Sequence, residues 1–178
     1  MAEHPEDSGH GHRPQDGLRR FTAARLTVSD RCAQGSAEDL SGPAVDRLIE
    51  GLGGDVVARA VVPDREAAIR TVLEEWLEQE APPRLIVTTG GTGPAPRDVT
   101  PEATLPLLER RLPGLEEALR RAGLPGVPTA VLSRGVAGTR GGSLIINLPG
   151  SPGAVRDAAE VLPPLVGHAL ELLGGDRS

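Results

Sequence analysis

No lysine occurs anywhere in this 178-residue chain; all 19 of its strongly basic side chains are arginine. That absence removes Schiff-base and lysine-nucleophile chemistry. It also removes the lysine that a P-loop requires after its glycines. Tyrosine is missing as well, and Phe21 and Trp76 are the only aromatic residues, which leaves little on which nucleic-acid bases can stack. The formal net charge of −6 argues the same way, against a nucleic-acid partner, while leaving room for a small local anion site. Cys32 is the single cysteine, so no intrachain disulfide can form. Neither a secretory leader nor a run of about 20 apolar residues is present. The expectation is a soluble cytoplasmic protein with no membrane partner.

The length suits one domain with a substantial core. Residues 1–20 are polar and carry His4, His10 and His12. They are expected to be a disordered tail, with no folded frame to turn the histidines into a metal site. Residues 21–178 are expected to form the domain.

Its centre is Leu85-Ile86-Val87-Thr88-Thr89-Gly90-Gly91-Thr92-Gly93. The apolar, β-branched start reads as a strand buried on both faces. Three glycines in four residues then end it, and such a turn can aim several backbone N–H groups into one anion-binding concavity. A plain connecting turn is the alternative. The dinucleotide fingerprint fails, because Pro96 stands where glycine or alanine is required. Beyond Arg97-Asp98, Thr100-Pro101-Glu102 reads as a helix start capped by Thr100.

The remaining chain alternates between strand and helix patterns. Phe21–Val28 is the first strand, followed by a small-residue loop through Ser29, Asp30 and Cys32. A helix begins at Ser41-Gly42-Pro43, with Ser41 as its cap. Residues 55–62 form a second strand and Asp64 follows it, either as an N-cap or as a site residue. Pro106 should kink or divide the helix after Thr100. Thr129–Arg134 reads as strand or short helix, and residues 138–142 as a turn. Ser143–Leu148 is another buried strand, stopped by Pro149-Gly150-Ser151. Two last helices are expected, separated by Pro163-Pro164.

This alternation implies an α/β fold whose mainly parallel sheet is covered on both faces. Ligands of such sheets sit outside the carboxyl ends of the strands. That rule gathers Ser29-Asp30, Asp64, Thr89 to Asp98 and Pro149 to Ser151 onto one rim. A glycine nest, two loop aspartates and Arg97 suit a phosphorylated small molecule with Mg²⁺. Phosphoryl or nucleotidyl transfer then needs positioning and charge neutralisation only.

Ser29-Asp30, Gly35, Asp39, Ser41-Gly42-Pro43, Pro63-Asp64, Thr88 to Gly93, Arg97 to Thr104, Leu132-Ser133-Arg134 and Asn147-Leu148-Pro149-Gly150 follow one another in a familiar order. From about residue 24 to 175 the chain resembles the MogA/MoaB family of molybdenum cofactor biosynthesis. The resemblance implies a homotrimeric three-layer α/β sandwich that uses Mg-ATP to adenylylate molybdopterin and then serves a MoeA-type insertase. It also implies catalytic and metal-positioning roles for Asp64 and Asp98. Substrate-binding roles follow for Ser29, Asp30, Gly42, Thr89, Gly90, Gly91, Thr92, Gly93, Arg97, Thr100, Glu102, Ser133, Asn147, Pro149, Gly150 and Ser151. With no lysine available, Arg97, Arg134 and Arg140 are the candidate phosphate cations. Two other readings are a non-catalytic pterin carrier of the MoaB type, and the pyrophosphatase chemistry of the competence-damage family, which normally carries a further long domain.

Overall fold

The computed structural model describes Arg20–Gly174. The expected tail, apart from Arg20, and its three histidines lie outside the described residues. Six strands form one sheet in the order β2-β1-β3-β6-β5-β4: β1 Phe21–Val28, β2 Gly54–Val62, β3 Leu85–Thr89, β4 Arg110–Arg111, β5 Ala137–Arg140 and β6 Ser143–Leu148. The pairs β1–β2, β1–β3 and β3–β6 are parallel, while β5 runs antiparallel to both β6 and β4. Every residue of β3 and β6 is buried, as their unbroken apolar runs require of strands covered on both faces.

The helices are α1 Asp30–Ala33, α2 Ser41–Gly51, α3 Glu66–Leu77, α4 Thr100–Thr104, α5 Pro113–Gly123 and α6 Pro152–Gly174. One core packs Val45, Leu48 and Ile49 of α2 and Val155, Leu162 and Val166 of α6 on the sheet face made by Ala23, Leu85, Val87, Leu144 and Ile146, with Leu115 and Leu119 of α5 alongside. The other packs Ile69, Leu73 and Trp76 of α3 and Ala103 of α4 against Ala24, Leu26, Ile86 and Ile145. The result is the expected three-layer α/β sandwich.

Local departures from the sequence expectations have local causes. The loop after β1 contains the one-turn helix α1, capped by Ser29, whose Oγ accepts from the Cys32 N–H at 3.3 Å. Ser41 does not cap α2. The N-cap position is Leu40, and Asp39 just before it accepts from the Gly42 N–H at 2.8 Å. Pro106 does divide its helix: α4 passes into a 3₁₀ turn, Leu105–Leu107. Pro128–Leu132 is also 3₁₀, which resolves the ambiguous segment in favour of a short helix. Gly138, expected in a turn, lies in β5, where a Cβ would meet the Arg110 carbonyl at 2.5 Å; glycine is there for close strand approach. The turn is confined to Gly141-Gly142, with Gly141 at φ +55°.

The largest departure is α6. Pro163 and Pro164 do not separate two helices but sit inside one of 23 residues. Each proline forfeits one helical hydrogen bond. The buried stripe Val155, Ala158, Leu162, Val166 and Leu170 crosses the interruption in phase, and burial of that stripe offsets the loss.

Three connections position the site. The chain leaves β1 and β6 toward α2 and α6 on one face, but leaves β3 toward α4 on the other. Neighbouring loops that diverge in this way open a crevice at the carboxyl ends of the strands.

Candidate active site

A groove of about 710 Å³ occupies that crevice. It brings together Ser29, Asp30, Asp64, Gly90 to Gly93, Arg97, Asp98, Ser133, Asn147, Pro149, Gly150 and Ser151. The rim expected from the sequence is therefore one continuous surface. Gly42, Thr89, Thr100, Glu102 and Arg140 do not line it.

The glycine loop is anchored through its carbonyls. Thr100 Oγ1 donates to the Gly90 carbonyl at 2.8 Å and the Thr100 N–H to that of Gly91 at 3.0 Å. The Arg134 N–H donates to the Thr92 carbonyl at 2.8 Å, and Arg134 Nε to that of Gly93 at 2.9 Å. In a trans peptide the next residue's N–H points opposite to the carbonyl, and no cis peptide occurs among the described residues. The N–H groups of Gly91, Thr92 and Gly93 therefore face away from all this anchoring, and none donates to an acceptor among the described residues. Gly90 and Gly91 have φ of +102° and +63°, a conformation glycine adopts without a Cβ clash. The loop after β6 closes from above, bringing Gly150 so near that a Cβ there would lie 3.1 Å from the Gly90 Cα.

Both predicted catalytic aspartates flank this loop. Asp64 Oδ1 lies 3.3 Å from where a Gly91 Cβ would be, and Asp98 Oδ2 lies 2.7 Å from the equivalent point on Gly93. Asp64 does not cap α3, whose N-cap is Arg65. Its Oδ2 accepts from the Asp30 N–H at 2.8 Å, and its own N–H donates to Asp30 Oδ1 at 3.1 Å. Asp98 Oδ2 accepts from the Ala95 N–H at 3.1 Å.

Several expected ligand contacts prove to be scaffolding. Thr100 is fully buried and does not cap α4; it holds the glycine loop. Thr89 Oγ1 donates to the Pro149 carbonyl at 2.9 Å. Gly42 admits Asp39 and the Arg25 guanidinium, which a Cβ would overlap. Asn147 donates to Thr88 Oγ1 at 2.9 Å and Thr104 Oγ1 at 3.1 Å and accepts from the Val136 N–H at 3.2 Å, so its amide is spent within the fold.

Arg134 is not a free phosphate cation. Its guanidinium holds the Gly93 and Asp98 carbonyls and pairs with Glu102. The hydrogen bond from Arg134 keeps the Glu102 carboxyl below its usual range, against the opposing effect of burial. Arg140 pairs in register with Ser143 at the opposite end of β6 from the groove. Arg97 is exposed and remains as a cation on the rim. Ser133 Oγ lies 3.4 Å from Thr92 Oγ1, within reach of both loop and groove.

The far end of the groove was not expected from the sequence. It is walled by Glu116, Leu119, Arg120 and Gly123 of α5, by Val127, Thr129, Ala130 and Leu132, and by Ala154 and Asp157 of α6. The α5 residues recur at i, i+3, i+4 and i+7, the one sequence signal that marks a single helix face. Glu116 is only 3% exposed. Burial pushes its carboxyl up, but the Arg111 fork (2.7 and 2.8 Å) and the Ala137 N–H (3.2 Å) outweigh it and set the group below its usual range. Cys32, also on the groove, donates its thiol to the Glu38 carbonyl at 3.6 Å.

No cluster of three or more histidine, cysteine, aspartate or glutamate side chains among the described residues can cage a metal. Asp64 Oδ1 and Asp98 Oδ1 accept no hydrogen bond from the described residues. Two such oxygens beside an anion nest fit Mg²⁺, which takes one or two carboxylates and completes its shell with phosphate and water.

Residues 24–168 match the family model described as a probable molybdopterin binding domain. The chain is 42% identical over 162 residues to the molybdenum cofactor synthesis protein cinnamon of Drosophila melanogaster, a match covering 90% of this chain but 27% of that protein. It thus spans about a quarter of cinnamon's length. It is 41% identical over 154 residues to molybdopterin adenylyltransferase of Helicobacter pylori, covering 85% of this chain and 86% of that one. The solved structure of the molybdopterin biosynthesis enzyme MoaB from Thermus thermophilus superposes with a TM-score of 0.81 at 47% identity, covering 88% and 98% of the two chains. With this match over most of its length, and with the same six-stranded α/β architecture, the chain belongs to the MogA/MoaB family of molybdenum cofactor biosynthesis proteins.

Proposed function

We propose that the protein is a molybdopterin adenylyltransferase, using Mg-ATP to convert molybdopterin to adenylyl-molybdopterin with release of pyrophosphate. The observation that carries this reading is the glycine loop: its carbonyls are all pinned behind it, and three N–H groups without acceptors among the described residues lie between two aspartates. The similarity to bacterial adenylyltransferases over most of their length supports it further.

In this transfer a terminal phosphate oxygen of molybdopterin attacks the α-phosphorus of ATP. A new P–O bond forms there, the bond to the β-phosphate oxygen breaks, and its electron pair leaves with pyrophosphate. The attacking oxygen is already anionic near neutral pH, so no protein base is needed. The protein's task is to bring two anions together, and preorganised N–H dipoles achieve this without reorganisation. We assign the N–H groups of Gly91, Thr92 and Gly93 to phosphate oxygens, Arg97 to the outer phosphates, and Ser29 and Ser133 to orientation. Asp64 and Asp98 are the residues that would hold Mg²⁺. When bound, that ion supplies charge neutralisation on the phosphate oxygens.

We further place the protein in the cytoplasm, as a homotrimer that hands its product to a MoeA-type insertase. In keeping with this, no described helix is long and apolar enough to cross a membrane. The deciding experiment incubates the protein with molybdopterin, Mg²⁺ and ATP and analyses the mixture by mass spectrometry. Adenylyl-molybdopterin and pyrophosphate that disappear in Asp64→Ala and Asp98→Ala support the transferase. Pterin bound without product, in wild type and variants alike, overturns it in favour of a carrier.

A further inference from the structure

Besides the active groove, α6 walls a second concave surface. It runs beside α2, and a cleft of about 320 Å³ lies between the two helices. Ala44 and Leu48 of α2 and Val155 and Ala159 of α6 give this cleft an apolar floor, which Arg47 and Arg156 flank. Both arginines are exposed, and neither forms an ion pair or hydrogen bond with a described residue.

Their own helices offer carboxylates that they leave unused. Glu50 follows Arg47 by three residues and Glu160 follows Arg156 by four, spacings that bring side chains together on a helix. Neither pair forms. Arg156 leans instead toward the start of α6, its Nη2 3.6 Å from where a Gly153 Cβ would be. Asp46, next to Arg47, is taken by Arg25 and Arg59. The chain carries a net charge of −6, yet two guanidiniums here have no carboxylate among the described residues. Over an apolar floor, such a pair fits an acidic segment with an apolar residue at its centre.

The sequence before Arg20 holds one. Glu3, Glu6 and Asp7 come before any arginine, the first of which is Arg13, and Pro5 lies among them. The point of attachment is close. Arg20 Nε donates to Asp55 at 3.0 Å, and Phe21 packs against Gly54 just beyond the C-terminal end of α2. Arg47 lies four residues before that end, about 6 Å along the helix axis, and crossing to α6 adds about 8–10 Å. Residues 8–19, as flexible chain, span about 20 Å. A linker that matches its gap gives an effective concentration of about millimolar, so a contact of only millimolar affinity is occupied about half of the time.

We propose that Glu3–Asp7 docks in the α2–α6 cleft of its own chain, with its carboxylates on Arg47 and Arg156 and Pro5 on the apolar floor. Docked there, the segment straps α2 to α6. It also bears on the active groove, because Pro152 lines both cavities and Gly150, just before it, rests on Gly90. The docking does not depend on which reaction the groove performs.

The test exploits the absence of lysine. The α-amino group is the only primary amine of the chain, so an amine-reactive nitroxide labels the N-terminus alone. NMR signals of the full-length protein then report which surface the label visits. Those of Ala44, Leu48, Val155 and Ala159 are expected to fall to about half or less, while those of Val72 and Leu77, on the opposite face of the sheet, keep their intensity. Salt at about 1 M, where the screening length is about 3 Å, should restore the cleft signals. The double variant R47E/R156E should restore them too, and adding E3R, E6R and D7R to that variant should bring the loss back. Even broadening over the whole surface, or cleft broadening that R47E/R156E leaves unchanged, overturns the proposal. Nitroxide-labelled chains refolded together with isotope-labelled, nitroxide-free chains identify the source. Broadening of the cleft in that mixture puts another copy's segment there and overturns docking within one chain.

Discussion

Asp30 and Asp64 hold each other reciprocally across 34 residues of sequence: each backbone N–H donates to the other's carboxylate, at 2.8 and 3.1 Å. One oxygen of Asp64 is thereby fixed, and Oδ1 is turned toward Gly91. Asp30→Ala removes the acceptor for the Asp64 N–H and frees the strand end. Turnover should fall about tenfold or more, as for loss of a group that orients a reacting centre, with the KM for ATP changed far less. Asp30→Asn keeps Oδ1 and should retain most activity. Pyrophosphate release under steady-state conditions measures both.

Gly91 and Gly93 should respond differently to a single methyl group. Gly91→Ala forces a Cβ into positive φ and onto Thr100 Oγ1, and should cost about 1–3 kcal/mol of stability together with activity. Gly93 is not in that backbone region, and its Cβ would press on Asp98 Oδ2 at 2.7 Å. Gly93→Ala should therefore lower turnover while changing stability by under about 1 kcal/mol. Denaturant midpoints and kcat measured on the two variants separate the effects.

Arg134→Met should loosen the segment carrying Asp98, because one guanidinium holds two of its carbonyls and Glu102 besides. The half-exposed ion pair itself is worth no more than about 1 kcal/mol, so the main loss should appear in kcat. Lysine cannot reproduce the planar fork, and Arg134→Lys should recover only part of the rate.

Glu116 should make the fold acid-sensitive. Its folded carboxyl lies below the usual range, so the unfolded chain binds the proton more readily. The stability it contributes is complete above the ordinary glutamate range and is lost as pH falls through the depressed folded value. Glu116→Gln should be destabilised at neutral pH by about 1–3 kcal/mol, the usual loss when a charged hydrogen-bond partner is removed. The gap from wild type should close in acid. Melting temperatures of the two proteins across about pH 3–7, which brackets the ordinary carboxylate range, show whether it does.

Pro163 and Pro164 are both exposed inside α6. Replacing either with alanine restores a helical N–H without removing core surface. Each replacement should stabilise the protein by about 1–3 kcal/mol, read from denaturant midpoints. Loss of stability would show instead that the prolines relieve a packing constraint.

The parts of the molecule legible in the sequence were those in which one physical requirement dominates. β3 and β6 announce themselves because strands buried on both faces must be apolar throughout. The rim followed from topology, since both aspartates and both glycine-bearing loops fall at carboxyl ends of parallel strands. The rest depends on tertiary balance. Pro163-Pro164 reads as a break, yet a continuous apolar stripe carries the helix through. Gly138 reads as a turn, yet it lies within β5 because the Arg110 carbonyl passes too close for a side chain. Thr100 and Arg134 have residue types suited to capping and to phosphate, and only the fold shows that both instead anchor the glycine loop from behind. Arg120 and Asp157 look like ordinary helix-surface charges until α5 and α6 are seen to share a groove.

The divergence of the β3 loop from its neighbours has a consequence for how ligand and fold are linked. Because residues from Ser29 to Asp157 meet only at that crevice, no fragment of the chain carries a working site. A ligand there binds the assembled sheet and nothing simpler, so its binding energy adds to the stability of the whole molecule. At a concentration one hundredfold above its dissociation constant, that gain is about 2.7 kcal/mol. Occupancy of the groove and integrity of the fold are thus one cooperative equilibrium, and a melting curve serves as a binding assay.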